Sequence, residues 1–211
     1  MSHRGLIVFE VVLCSIGLMV FSFFIQSGFP AKILSFAAVL VSGFIIGKSL
    51  KTSADILIIT GDKPSPGHLA VLLPASLLTG FVLSILYRWH IDVSVIPVGI
   101  HGFAFIAAII GITEELIFRG YIQGNIKEIN VPLSIIGGSL AHTGYKCCLF
   151  LAPAAAGRID TDFLALWTMI AGIIFGTINH FSKSIIPSVA AHALFDILVY
   201  AEFSGAPWWV W

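Results

Sequence analysis

The chain has 211 residues, of which 58% are apolar and only 10% are charged, and its 11 basic residues balance its 11 acidic residues. Soluble domains carry about 25% charged residues, so this composition excludes a water-soluble globule, and its apolar content excludes a disordered chain. The neutral balance also excludes the basic surface that binds nucleic acid. The composition therefore predicts a polytopic membrane protein whose surroundings are membrane lipids.

Seven apolar segments follow one another along the chain, and each is about long enough to cross a hydrocarbon core of roughly 30 Å as a helix. We therefore predict an all-α fold, a polytopic membrane helix bundle of about seven transmembrane helices. We also expect residues 1–211 to form a single transmembrane domain, with N-terminal spans in 1–93 and a catalytic four-helix core in 94–201. The segments are 6–25, 31–47, 68–87, 94–119, 132–153, 163–181 and 185–201.

The connectors between the segments indicate an orientation. With the N-terminus in the cytoplasm, seven basic residues lie on the cytoplasmic side and four on the other side, which agrees with the positive-inside rule. The tryptophan-rich end at 207–211 fits the interfacial belt of a membrane. Because the chain shows no organelle signal, we expect a bacterial cell membrane. The seven are Arg4, Lys48, Lys51, Lys63, Arg119, Lys127 and Lys183, and the four are Lys32, Arg88, Lys146 and Arg158.

Charged residues inside the spans are the first candidates for a functional site, because each costs about 2.5–3.5 kcal/mol at bilayer depth. Glu114, Glu115 and Arg119 end the fourth segment. Glu115 and Arg119 are four positions apart and share a helix face, whereas Glu114 points about 100° away. This arrangement predicts that Arg119 pairs with Glu115 and leaves Glu114 as a general base. An interfacial charge cluster at a helix end is the alternative.

Two histidines extend the candidate site. His192 and Asp196 are four positions apart in the last segment and face one way, and His142 lies in the middle of the fifth segment. Hydrogen bonding or packing between helices is the alternative for all three. Counted from the connectors at 125–131 and 182–184, Glu114, His142 and His192 all lie roughly 15 Å deep at 1.5 Å per residue. This shared depth predicts one site around a water molecule or a metal ion.

Other polar residues in or beside the spans are weaker candidates. Glu10 has no evident partner in the sequence, and Lys146, one turn past His142, either reaches the interface or pairs with a carboxylate. His101 lies near the end of its segment. Asn179 and His180 adjoin a short connector, where an interfacial role is the simpler interpretation.

The order Glu114-Glu115-x-x-x-Arg119, His142 and His192-x-x-x-Asp196 resembles the type II CAAX-prenyl endopeptidase and bacteriocin-processing (CPBP, or Abi) intramembrane proteases over residues 103–201. The resemblance implies an endopeptidase that hydrolyses a peptide bond of a membrane-associated peptide or lipidated protein. It implies that Glu114 activates water, that Arg119 holds Glu115, and that His142, His192 and Asp196 assist.

The resemblance also leaves points open. Glu114, His142, His192 and Asp196 are candidate ligands of a divalent metal such as zinc, which would make the chain a metalloprotease, but the spacing is not His-Glu-x-x-His. Gly138 stands where the family pattern Phe-x-x-x-His has phenylalanine. Asp196 stands where the pattern often has asparagine, and an ionised aspartate cannot donate to an oxyanion. Asp196 therefore either stays protonated or acts as a metal ligand or a hydrogen-bond acceptor.

Two other classes of function remain possible from the sequence. One is a non-catalytic membrane scaffold or immunity-type protein whose polar core serves packing. The other is a proton or cation transporter, because chains of Glu, His and Asp also relay protons. The sequence shows no inverted repeat, which argues against the transporter. It names neither the substrate nor the oligomeric state.

Overall fold

The computed structural model describes residues 3–61, 65–152 and 160–205. These residues form helices and loops without a β-strand, which confirms the predicted all-α class. Lys63, Arg158 and the aromatic end at 207–211 lie outside the described residues. The elements are α1 (His3–Phe24), α2 (Lys32–Ser49), α3 (Ser53–Thr60), α4 (Pro66–His90), α5 (Gly102–Glu115), a π-helix (Leu116–Gln123), α6 (Gly124–Lys127), α7 (Val131–Leu151), α8 (Thr161–Ser182) and α9 (Ile186–Val199).

The predicted count of seven transmembrane helices is not confirmed. Among the described helices, α1, α2, α4 and α8 are long and apolar enough to cross a membrane. Helix α7 has 21 residues but carries His142 and Lys146, which lower its hydropathy, and α9 has only 14 residues. The fourth segment begins at Gly102 rather than at Ser94, because the residues before it form a loop.

The outer surface of the bundle is apolar. Leu40 and Phe44 are each 72% exposed, and Val71 and Ile109 are more than half exposed. A soluble monomer rarely exposes so much contiguous apolar surface, whereas lipid solvates it at no cost. The apolar exterior and the four long helices together indicate a membrane protein.

Helix α5 continues into the π-helix and α6 without a break in helical backbone, because Glu115, Leu116, Gln123 and Gly124 all have right-handed helical backbone angles. A π-helix is wider than an α-helix and is frequently found at functional sites. Here it follows Glu115 directly and contains Arg119. The predicted charge cluster therefore lies at the junction of two helix types.

Helix α3 lies between the second and third predicted segments, 31–47 and 68–87, where no helix was predicted. It begins with a capping box in which the Thr52 hydroxyl accepts from the Asp55 amide, and the Asp55 carboxylate accepts from the Thr52 amide. Hydrogen bonds from Thr52 lower the pKa of Asp55. Gly120 and Gly124 of the π-helix and α6 let α3 approach closely at Ile59 and Ile58.

Helix α9 packs against both α4 and α5, and α7 packs against both α1 and α8. Small residues permit these contacts: Gly80 adjoins the carbonyl of Ala191, and Gly172 of α8 adjoins Ser139 of α7. The helices of the N-terminal half therefore support those that carry the candidate site. The domain division at residue 94 stays a prediction.

Arg88, predicted to lie in a connector, is fully buried at the end of α4. Its guanidinium donates to the carbonyls of Ser94, Leu198 and Val199 and pairs with Glu202 at 2.6 Å. A cation at the C-terminus of a helix satisfies its last carbonyls and complements its dipole. Arg88 thus ties the end of α9 to the loop that precedes α5.

Candidate active site

The six predicted site residues lie in one buried cluster. Glu114 and Glu115 come from α5, Arg119 from the π-helix, His142 from α7, and His192 and Asp196 from α9. Charged groups this deeply buried must pair with one another, so their contacts define the site. Their exposed fractions are 4% for Glu114, 0% for Glu115, 1% for Arg119, 4% for His142, 5% for His192 and 7% for Asp196.

Glu114 lies at the centre of the cluster. Its Oε2 atom lies 3.1 Å from Nε2 of His142 and 3.9 Å from Nε2 of His192. Its Oε1 atom lies 2.5 Å from Nζ of Lys146. Three cationic or imidazole groups therefore surround a single carboxylate, which favours its ionised form.

Arg119 connects Glu115 to His142. Its Nη1 atom lies 3.1 Å from Oε1 of Glu115 and 3.0 Å from Nδ1 of His142. A guanidinium can only donate, so Nδ1 of His142 must accept and its Nε2 must carry the proton. His142 therefore donates through Nε2 to Glu114, and Arg119 fixes the tautomer that allows this.

His192 is oriented in a similar way from the other side. Its Nδ1 atom lies 2.9 Å from Oε1 of Glu115, and the carboxylate, already paired with Arg119, accepts. This leaves Nε2 of His192 facing Oε2 of Glu114 and, at 3.6 Å, Oδ2 of Asp196. Distances of 3.6–3.9 Å are long for direct hydrogen bonds and suit groups bridged by a water molecule.

Aromatic rings hold both imidazoles in place. Phe118 stacks on His142 with ring centroids 4.7 Å apart, and Phe175 stacks on His192 at 5.2 Å. A side chain at Gly138 would bring its Cβ within 2.9 Å of the Phe118 carbonyl oxygen. Glycine at this position therefore lets α7 approach the π-helix, and the aromatic contact beside His142 comes from Phe118 instead.

Gly111 makes room for the carboxylate of Asp196. A Cβ atom at this position would overlap Oδ2 of Asp196 and would lie 3.2 Å from Cδ2 of His192. Helix α5 therefore approaches α9 closely because it has no side chain there. The sequence has 20 glycines, and nothing in it distinguishes Gly111 from the others.

A cavity of about 80 Å³ adjoins the cluster between α7, α8 and α9. This volume admits several water molecules. Its lining includes four polar side chains of the cluster and its surroundings, His142, Lys146, His192 and Asp196. It also includes five aromatic side chains, Tyr87, Trp167, Phe175, Phe195 and Tyr200.

Several outcomes differ from the weaker sequence expectations. Glu10, which had no evident partner, pairs with Lys48 at 2.7 Å. Lys146 was expected either to reach the interface or to pair with a carboxylate. It pairs with Glu114. Asn179 is not merely interfacial, because its side chain donates to the carbonyl of Arg119. Tyr87 and Phe175 join the site without any signal in the sequence.

A metal ion requires several suitable side chains at short distances around one point. A structural or catalytic zinc site needs three or more His, Cys, Asp or Glu ligands at about 2.0–2.3 Å. Within the described residues, no three such side chains form a group that could hold a metal ion. Lys146 and His142 already engage both oxygens of Glu114. The side chains as arranged do not fit a metal ion. The assignment of metal ligands therefore stays a prediction, and the reaction proposed for this chain involves no metal ion.

Comparisons with known proteins were made for the whole chain. No curated protein and no solved structure matches it. One family model, described as type II CAAX prenyl endopeptidase Rce1-like, matches residues 99–198, a range that contains all six clustered residues. An endopeptidase is a peptide hydrolase, so the family that this range resembles is one of CAAX-type proteases. The resemblance predicted from the motifs is confirmed: residues 99–198 match the type II CAAX prenyl endopeptidase Rce1-like family.

Proposed function

We propose that this chain is an intramembrane endopeptidase that hydrolyses a peptide bond of a membrane-associated substrate with water activated by Glu114. The observation that carries the proposal is the position of the Glu114 carboxylate. It is 4% exposed and contacts two groups, His142 and Lys146, that line a cavity large enough for water. A general base must lie within hydrogen-bond reach of the proton that it removes.

The proposed reaction begins with a water molecule between Oε2 of Glu114 and Nε2 of His192. Glu114 takes one proton of the water while the oxygen attacks the carbonyl carbon of the scissile bond. The π electrons of the carbonyl move to its oxygen and form a tetrahedral oxyanion. The C–N bond then breaks, and the amine leaves with the proton that Glu114 had taken, so that Glu114 is again a carboxylate.

The other cluster residues support this chemistry by orientation. Arg119 fixes the tautomer of His142, so that Nε2 of His142 donates to Glu114 and aligns its carboxylate. Glu115 holds His192 through Nδ1 and so directs Nε2 of His192 at the water. Asp196, 3.6 Å from that nitrogen, lies beside the position proposed for the water.

The mixed lining of the cavity supports a lipid-linked substrate. Its polar side chains suit the peptide backbone at the scissile bond, while its aromatic side chains suit an apolar chain. A prenylated peptide has both parts. The matching family is described as prenyl endopeptidases, which adds support for this substrate class.

A cleavage assay in proteoliposomes tests the proposal. The purified protein is given a fluorogenic peptide ending in a farnesylated CAAX motif, with the same peptide without farnesyl for comparison. We expect cleavage of the farnesylated peptide and a loss of about 10²–10⁴-fold in Glu114→Gln, the range for removal of a general base. The His192→Ala variant should lose cleavage activity to a similar extent.

Glu10→Gln is the matched control, because Glu10 lies in α1 and pairs with Lys48 away from the cluster. It should cleave at the wild-type rate. Normal turnover by folded Glu114→Gln would contradict the proposal. An inactive wild type over a panel of prenylated and unprenylated peptides would favour the scaffold interpretation.

We further propose a bacterial cell membrane as the location, with the N-terminus in the cytoplasm. Arg119 and Lys146 lie in the buried site and not in connectors, and the remaining bias of six basic residues against three supports this orientation. Fusing alkaline phosphatase or green fluorescent protein to the N-terminus tests it, because each reporter is active on only one side. Phosphatase activity of the N-terminal fusion would contradict the orientation.

A further inference from the structure

The proposed reaction needs a hydrogen-bond donor for the oxyanion. Donors aimed at the developing charge are usually the largest single contribution to catalysis. Asp196 lies beside His192 at the cavity, but a carboxyl group can donate only in its protonated form. A group that carries its hydrogens permanently and faces the cavity is better suited to this task.

Lys146 meets this need. Among the described residues that line the cavity it is the lysine, whereas Arg119 does not line the cavity and its Nη1 atom contacts Glu115 and His142. The Lys146 side chain is 24% exposed, against 5% for Glu114. A cation in a site largely shielded from water interacts strongly with a developing negative charge.

The Lys146 ammonium is placed so that it can donate to a second hydrogen-bond acceptor besides Glu114. Its nitrogen lies 2.5 Å from Oε1 of Glu114, whereas His142 contacts the other oxygen of that carboxylate, Oε2. An ammonium has three N–H groups, and the contact with Glu114 uses one of them. The Tyr145 ring lies 5.8 Å from the nitrogen and restrains it from one side. Two N–H groups therefore remain for a substrate in the cavity.

We propose that Lys146 is a further catalytic residue, which donates a hydrogen bond to the carbonyl oxygen of the scissile peptide bond while it pairs with Glu114. The inference rests on the proposed function. Lys146 keeps its proton throughout: its N–H group binds the oxygen that gains negative charge, and releases it when the C–N bond breaks. The same residue thereby links the base and the oxyanion.

Substitution of Lys146 with rescue at a second position tests the inference. Lys146→Gln is expected to lower kcat for the farnesylated peptide by about 10²–10³-fold, the loss measured elsewhere when one oxyanion donor is removed. KM should change little, because the contact is made chiefly in the transition state. Lys146→Met, which matches the lysine stem in shape, provides a second variant if the first does not fold.

The rescue uses Asp196→Asn, which keeps the shape of Asp196 and adds an amide donor at the cavity. If Lys146 acts on the oxyanion, the double variant Lys146→Gln with Asp196→Asn should have a kcat at least tenfold higher than that of Lys146→Gln alone. A purely structural pairing of Lys146 with Glu114 predicts no recovery, since the new amide does not replace that pair. Lys48→Gln is the matched control, because Lys48 also pairs with a glutamate but lies outside the site.

The outcomes separate this inference from the proposed function. An active wild type with undiminished kcat in folded Lys146→Gln or Lys146→Met would overturn the assignment of Lys146 alone. Loss of kcat without recovery in the double variant would also overturn it and would leave Lys146 as a structural partner of Glu114. A wild type that cleaves no peptide would overturn both the proposed function and this inference.

Discussion

Nε2 of His142 lies 3.1 Å from Oε2 of Glu114, although 28 positions separate the two residues in the chain. The contact joins the last turn of α5 to the middle of α7. It is directional, because Arg119 holds the opposite ring nitrogen of His142 and leaves Nε2 as the donor. The position of the Glu114 carboxylate relative to this imidazole is therefore the geometric feature on which the proposed activity depends.

Shortening the side chain at position 114 should abolish most activity. Glu114→Asp keeps the charge but withdraws the carboxylate by about one bond length, and a displacement of about 1 Å costs roughly 10²-fold in rate. We expect that loss in kcat for the farnesylated peptide, with the protein still folded. Glu10→Asp is the control and should be fully active; a Glu114→Asp rate within threefold of wild type would argue against Glu114 as the base.

Arg119→Lys should impair both stability and activity. A lysine has one nitrogen on a flexible stem and does not reproduce the geometry by which Nη1 serves Glu115 and His142 together. We expect a lower melting temperature in detergent and a fall of at least tenfold in kcat. Arg4→Lys, at an exposed position in α1, should change neither. Unaltered kcat in Arg119→Lys would show that the His142 tautomer does not depend on Arg119.

Gly111→Ala should reduce activity through the position of Asp196. The added methyl group would overlap Oδ2 of Asp196, so either that carboxylate turns away or α5 and α9 separate. We expect a lower kcat and a lower melting temperature. Gly43→Ala is a matched control, because nothing lies within 4 Å of its Cβ position. There alanine should be neutral or stabilising by up to about 1 kcal/mol. Equal behaviour of the two variants would contradict the proposed contact.

Arg88→Met should destabilise the protein without touching the cavity. The substitution leaves the carbonyls of Leu198, Val199 and Ser94 without their donor. Each buried polar group left unpaired costs about 1–3 kcal/mol. We expect the melting temperature to fall markedly and activity to be lost at a lower temperature than in wild type. Arg88→Met with wild-type stability would mean that water replaces the guanidinium at these carbonyls.

The contribution of Glu202 to stability should depend on pH. Hydrogen bonds from the Val98 amide and then from Arg88 hold the pKa of Glu202 below its usual range. A carboxyl with a lowered pKa in the folded state stabilises the protein above its unfolded pKa, and this contribution is lost as pH falls through the folded pKa. The melting-temperature difference between wild type and Glu202→Gln should therefore shrink between about pH 5 and about pH 3. A difference that stays constant over this range would contradict the assignment.

Some of the site could be predicted from local spacing. Glu115 with Arg119 and His192 with Asp196 each lie four positions apart, and the helix brings such pairs together whatever surrounds them. Depth along each span suggested that Glu114, His142 and His192 meet. The partner of Glu10 and the burial of Arg88 could not be predicted this way, because each depends on a helix or loop elsewhere in the chain.

The sequence by itself determined the helical class, the apolar exterior and the candidate site residues, because composition, helical periodicity and motif order are local properties. Only the tertiary structure decided which nitrogen of each histidine faces Glu114, that Lys146 pairs with Glu114 rather than reaching the interface, and that the Phe118 ring stacks on His142. These outcomes depend on distances of a few tenths of an ångström between separate helices. Such distances are set by side-chain packing across the whole bundle, which no single segment encodes.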